Sequence, residues 1–204
     1  MGKSHSGETC FLPGGKPGAL FEANVEGWLL RMEEENPALF SYFLAREEGR
    51  RPLVAWYGEF PGKFLTAVAE CYAMTGDRRL LPVGGRIAEM LRKVQDADGY
   101  LGPYRRDQRM VGFTLDHPNE WPLWDIWGHY HCIYGLCLWH EAVGDPHDLQ
   151  TARRAADYVI GYFAQPGRRY VDAGAPDQNL AIAHGYLKFY TLTVEVINRA
   201  APDR

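Results

Sequence analysis

An all-α fold of stacked helical hairpins is what this sequence predicts, on three observations. Apolar residues recur at helical spacing through most of its 204 residues, the pattern of helices with one buried face. Strand signal is almost absent, since Tyr170-Val171 is too short to count. The chain also repeats itself. Trp124 follows Trp56 by 68 residues, Gly144-Asp145 follows Gly76-Asp77 by 68, Ala156 follows Ala88 by 68 and Val159 follows Leu91 by 68. Such a register marks a helical hairpin that cannot bury its own apolar face and must stack on its neighbours.

About seven helices follow from the periodicity. Residues 1–18, MGKSHSGETCFLPGGKPG, read as a loose leader rich in glycine and proline, and 19–204 as one helical domain. Leu20, Phe21, Val25, Trp28 and Leu29 predict a helix from Ala19 to Met32. Asn36-Pro37 breaks it and starts a short one with Leu39, Phe40, Phe43 and Leu44 inside. Glu47 to Pro52 is a charged linker. A helix after Trp56 runs through Ala67, Val68, Cys71 and Tyr72 to Thr75. Gly76 ends it in a left-handed conformation and Asp77 caps the next. That helix carries Leu80, Leu81, Ile87, Met90, Leu91 and Val94 into a turn-rich loop at Gln95. The second unit, from Trp121 onward, repeats this plan. A third begins near Asn179 with His184, Leu187, Phe189, Leu192, Val194 and Ile197, and its turn is expected near Asn198.

Composition narrows the partners. A net charge of -4 leaves no basic footprint for nucleic acid. No apolar run of about 18 residues suits a membrane span, and the amino terminus lacks an apolar signal core. A cytoplasmic location is the resulting expectation. Cys71, Cys132 and Cys137 read as small buried hydrophobes, and no Cys-x-x-Cys pair occurs.

The Gly-Asp turns fall on one face of such an array, and the long loops Gln95–Trp121 and Gln165–Asn179 fall on the other. Long loops on one face of a repeat array form its binding face. That placement gathers Glu59, Lys63, Trp124, Trp127, Asp125 and His129 with Gln95, Asp98, Tyr100 and Tyr104. Aromatic rings stack on the C–H faces of sugars while carboxylates and imidazoles bind hydroxyls, so the mixture points to carbohydrate. Glu59, Asp98 and Asp125 are candidate acids and bases. Plainer roles stand beside these. Trp124 and Trp127 suit a core, Asp125 a helix cap, Glu59 a first-turn dipole partner and Asp98-Gly99 a turn. Asp125 and His129, four apart on one face, suit an ion pair, a substrate contact or a metal pair. His131 points elsewhere and reads as structural.

The succession Trp56-Tyr-Gly-Glu-x-x-Gly-Lys, Tyr72-x-x-Thr-Gly-Asp, Gln95-x-x-Asp-Gly-Tyr-Leu-Gly-x-Tyr, Trp124-Asp-x-Trp-x-His, Tyr134-Gly-Leu and Glu141-Ala-x-Gly-Asp resembles glycoside hydrolase family 127. That group is also called DUF1680 or the beta-L-arabinofuranosidase-like proteins. The resemblance implies an (α/α)6 barrel that hydrolyses L-arabinofuranosides or related plant-polysaccharide sugars, with His129 lining the sugar pocket. It also implies a cysteine nucleophile held on zinc by three cysteines and a glutamate, with a second glutamate as general acid/base. Those residues come from the later half of the barrel and include an adjacent Cys-Cys pair, which this sequence lacks. The expectation is therefore the amino-terminal half of such a barrel, with no nucleophile and no zinc ligands of its own.

Three functions remain open on the sequence. The first is a glycoside hydrolase-like protein contributing sugar contacts. The second is a non-catalytic module binding a glycan or a protein, paired with itself or with a separate carboxy-terminal half. The third is another (α/α) sugar enzyme, such as an epimerase or an unsaturated-uronide hydrolase, working through His or Asp.

Overall fold

The structure, a computed structural model, describes residues 14–49, 52–111 and 123–200, the last six by backbone alone. Cys10, Trp121, the leader up to residue 13 and the Ile197 side chain lie outside it. Every regular element among the described residues is helical: α1 (Gly15–Asn24), α2 (Met32–Glu35), α3 (Ser41–Leu44), α4 (Phe60–Thr75), α5 (Leu80–Val94), α6 (Asp125–Val143), α7 (Pro146–Phe163), α8 (Pro176–Asn179) and α9 (Ile182–Ala200). α2, α3 and α8 are single turns, and a wide turn at Val25–Leu29 joins α1 toward α2. Tyr170–Asp172 is a tight helical turn, so the weak strand signal there comes to nothing. No helix among the described residues is long and apolar enough to cross a membrane.

The 68-residue repeat is a structural unit. Gly76 (φ 65°) and Gly144 (φ 79°) end α4 and α6 in the left-handed region, where a Cβ is strained. Gly76 N–H donates to the Tyr72 carbonyl at 2.8 Å and Gly144 N–H to that of His140 at 2.7 Å. Asp77 then accepts the Arg79 N–H at 3.0 Å and Asp145 the His147 N–H at 3.0 Å, satisfying donors at the next helix start.

α6 is the central element. α4 and α9 pack on its two sides and α7 behind it, with α5 behind α4. Being wrapped, α6 is apolar around most of its circumference. α4, α6 and α9 run parallel: Glu59, just ahead of α4, meets Trp127 in the first turn of α6, and His184 at the start of α9 meets Tyr130. The α4–α6 crossing is close because both sides are small. A Cβ on Gly62 would lie 2.2 Å from the His131 carbonyl carbon, and one on Gly135 2.6 Å from the Gly62 oxygen.

Several boundaries differ from expectation. α1 begins at Gly15, taking in residues read as leader. The helix expected after Pro37 is only a turn, so Phe43 is buried while Leu44 stays 59% exposed. α9 runs through Asn198 to Ala200, past the expected turn. Within α9, Leu187 is exposed and Leu192 buried.

Candidate functional site

The expected site residues divide into two groups at the starts of α4 and α6. Asp125, His129, Tyr100 and Tyr104 form the first, and each is 3% exposed or less. Trp124 occupies the cap position of α6, and Asp125 does not cap it. Instead the Asp125 carboxylate accepts the Tyr100 hydroxyl at 3.0 Å and the Met110 N–H at 2.9 Å. His129 Nε2 accepts the Leu101 N–H at 3.1 Å. The ring proton therefore sits on Nδ1, 2.9 Å from the Asp125 carbonyl oxygen and 3.3 Å from its Oδ1. Tyr104 N–H donates to the Tyr100 hydroxyl at 3.2 Å, and the Tyr104 hydroxyl donates to the Ala55 carbonyl. Burial first, and the Asp125 carboxylate second, push the Tyr100 phenol well above its ordinary range. Gly102 admits this knot: a Cβ there would lie 2.4 Å from the Tyr100 hydroxyl oxygen and 2.7 Å from Asp125 Oδ1.

These bonds fasten residues 95–111 to the helix starts. Gln95 belongs to the same fastening, donating to the Gly99 and Thr151 carbonyls at 3.1 and 3.0 Å. Asp98 makes the expected turn by accepting the Tyr100 N–H at 3.1 Å. Arg109, which the sequence reading missed, lies 2% side-chain exposed over the Tyr100 ring, 3.9 Å from its centroid. It also reaches Glu47 at 3.2 Å. Asp125 and His129, expected to face a sugar, are buried, with Asp125 and the His129 Nε2 bonded to the loop and the His129 Nδ1 to the Asp125 carbonyl of α6 itself.

The second group lies at the start of α4 and along one side of α6, with Glu59 buried and Lys63 and Trp127 partly exposed. The Glu59 carboxylate accepts Lys63 Nζ at 2.7 Å and the Trp127 indole N–H. Lys63 Nζ also stands 5.5 Å from the Trp127 ring centroid. Trp127 is half-buried and opens a row of rings along one side of α6: His131 at 4.6 Å, Tyr130 at 5.5 Å from Trp127, and Tyr134 at 5.9 Å from Tyr130. His184 of α9 closes the row, 4.7 Å from Tyr134, with its Nδ1 3.1 Å from the Tyr130 hydroxyl. Trp124 touches Trp127 edge-on at 6.2 Å and Trp56 at 5.4 Å. Burial, helped by Lys63, pushes the His131 imidazole down to about 3, so the ring is neutral at physiological pH. Its Nε2 is buried with no hydrogen-bond partner among the described residues. Tyr130, His131, Tyr134 and His184 were not singled out from the sequence as site residues. The spacing 127, 130, 131, 134 did carry the signal, since those positions share one helical face.

The catalytic-domain model of the GH127 beta-L-arabinofuranosidases matches residues 23–196. The chain belongs to this family. The non-reducing end beta-L-arabinofuranosidase of Bifidobacterium longum subsp. longum is 26% identical over 153 residues, which are 69% of this chain and 22% of that relative. The GH127 chain therefore spans about a fifth of that relative's length.

Among the described residues no group of three His, Cys, Asp or Glu side chains is placed to hold a metal ion. Cys132 and Cys137 are buried, and burial pushes both thiols up to about 12.

Proposed function

We propose that this GH127 chain binds an L-arabinofuranoside, or a closely related plant-polysaccharide sugar, across the ring row of α6. In this reading it supplies binding groups to glycoside hydrolysis and not the nucleophile. One observation carries it: Trp127, Tyr130, His131 and Tyr134 share a face that meets His184 on one side and the Glu59–Lys63 pair on the other. Flat rings take the C–H surface of a furanoside, while Lys63 and His184 offer donors and acceptors to its hydroxyls.

The two carboxylates nearest the helix starts are already engaged. Glu59 is held by Lys63 and Trp127, and Asp125 by Tyr100 and Met110. Neither is assigned a catalytic proton or bond in this reading.

Titration calorimetry with methyl beta-L-arabinofuranoside tests it. Trp127→Ala is expected to weaken binding at least about 10-fold, roughly 1.4 kcal/mol, with a circular dichroism spectrum like the parent's. Unchanged affinity in Trp127→Ala would move the binding surface elsewhere. Hydrolysis of an aryl beta-L-arabinofuranoside to arabinose and the free phenol by this chain alone would show that the catalytic groups lie among these residues after all.

A further inference from the structure

The buried sides of the two outer helices match position for position. α5 packs on α4 and α7 on α6. The buried residues of α7 are Asp148, Thr151, Ala152, Ala155, Ala156 and Val159. Each follows a buried residue of α5 by 68, from Leu80 at one end of the series to Leu91 at the other. Leu80 and Asp148 are both fully buried. Where the first outer helix begins on an apolar side chain, the second begins on a carboxyl group. Asp148 therefore holds a core position to which its charge is ill suited.

The charged groups around it come from each neighbouring element. Arg92 of α5 donates to Asp148 Oδ1 and also lies 3.4 Å from Asp145 Oδ2 in the turn. His140 of α6 stands at the same turn, its Nδ1 2.7 Å from the Asp145 carbonyl oxygen. On α7 itself, His147 is exposed and its Nδ1 lies 2.9 Å from Asp145 Oδ1. α9 is the remaining neighbour of α7, and its Lys188 is paired with Glu141 at 2.6 Å. The second carboxyl oxygen, Asp148 Oδ2, is buried with no hydrogen-bond partner among the described residues.

An ionised carboxylate with a bare oxygen in the interior costs more than a neutral carboxyl group there. Burial, the largest influence, pushes Asp148 up to about 6; Asp145 adds to the rise, while Arg92 and His140 oppose it. We propose that Asp148 is a proton-operated latch on the second hairpin: its neutral carboxyl group lets the first turn of α7 close against α5 and α6, and its ionisation loosens that seam. The group costs nothing while it is neutral in both the folded and the unfolded chain, below about pH 4. Its cost grows as pH rises through about 6 and is constant above that. The latch lies beside the Gly144-Asp145 turn and does not depend on sugar binding at the ring row.

Thermal melts of the parent and of Asp148→Asn from about pH 5 to about pH 8 test it. Asparagine keeps the shape of the side chain without its ionisation, and subtraction at each pH removes the other titrating groups. The Tm of Asp148→Asn minus that of the parent is expected to grow by about 3 °C over this interval. Protection of the Thr151 and Ala152 amides from hydrogen exchange, corrected for the intrinsic rate, is expected to fall with rising pH in the parent and to stay level in Asp148→Asn. The carboxyl carbon-13 resonance of Asp148 in the parent reads the same proton without requiring any variant to fold, with an expected midpoint of about 6. A midpoint of about 4 or lower overturns the proposal. A Tm difference that stays flat or shrinks as pH rises also overturns it, and makes Asp148 a standing ionic partner of Arg92. Amide protection in the parent that stays level through the titration overturns the loosening of the seam.

Discussion

At the scale of single residues, burial decides what a side chain does, and two neighbours in sequence have opposite fates here. Asp125 and Trp127 lie in the same turn of α6, yet Asp125 is 3% exposed with its carboxylate fully engaged, while Trp127 is partly exposed in the ring row. Asp125→Ala leaves the Tyr100 hydroxyl proton and the Met110 N–H without their acceptor in the interior, each at a cost. The expected loss is about 2–4 kcal/mol, a fall in Tm of roughly 4–16 °C for a chain of this size, read by thermal melting. Sugar affinity measured well below the melt is expected to stay near that of the parent. A weaker sugar affinity in a variant that melts normally would return Asp125 to the binding surface. The pairing of Asp125 with His129 was legible from their four-residue spacing. Their burial was not, because it is imposed by Tyr100, Leu101 and Met110, which come from a different loop. His131 reads as structural in the sequence; its ring continues the row of α6 beside Trp127, and its Nε2 is buried.

At the scale of elements, the Gly-Asp turns and the helices they join were legible because their signals are local. A left-handed glycine followed by a capping aspartate needs nothing from the rest of the chain. The short helix at Pro37 and the wide turn at Val25–Leu29 were misjudged because the apolar spacing continues past the points where the regular helices stop. Glycines inside helices show the same division. Gly62 in α4 and Gly85 in α5 are both helix-interior glycines, which intrinsic propensity treats alike. A Cβ at Gly62 would lie 2.2 Å from backbone of α6, whereas one at Gly85 meets nothing within 4 Å. Gly62→Ala is therefore expected to force α4 from α6 and cost about 1–3 kcal/mol. Gly85→Ala is expected to stabilise by about 0.4–1 kcal/mol. Denaturant midpoints of the two variants check the pair, and equal shifts would show that the α4–α6 crossing tolerates a methyl group.

At the scale of the whole molecule, repetition makes the fold. Each inner helix among the described residues packs against the next, α4 on α6 and α6 on α9, so the register carries from one unit to another. The all-helical class and the hairpin register were legible from the 68-residue spacing. The arrangement of helices around α6 was not, because it is set by contacts between segments far apart in sequence.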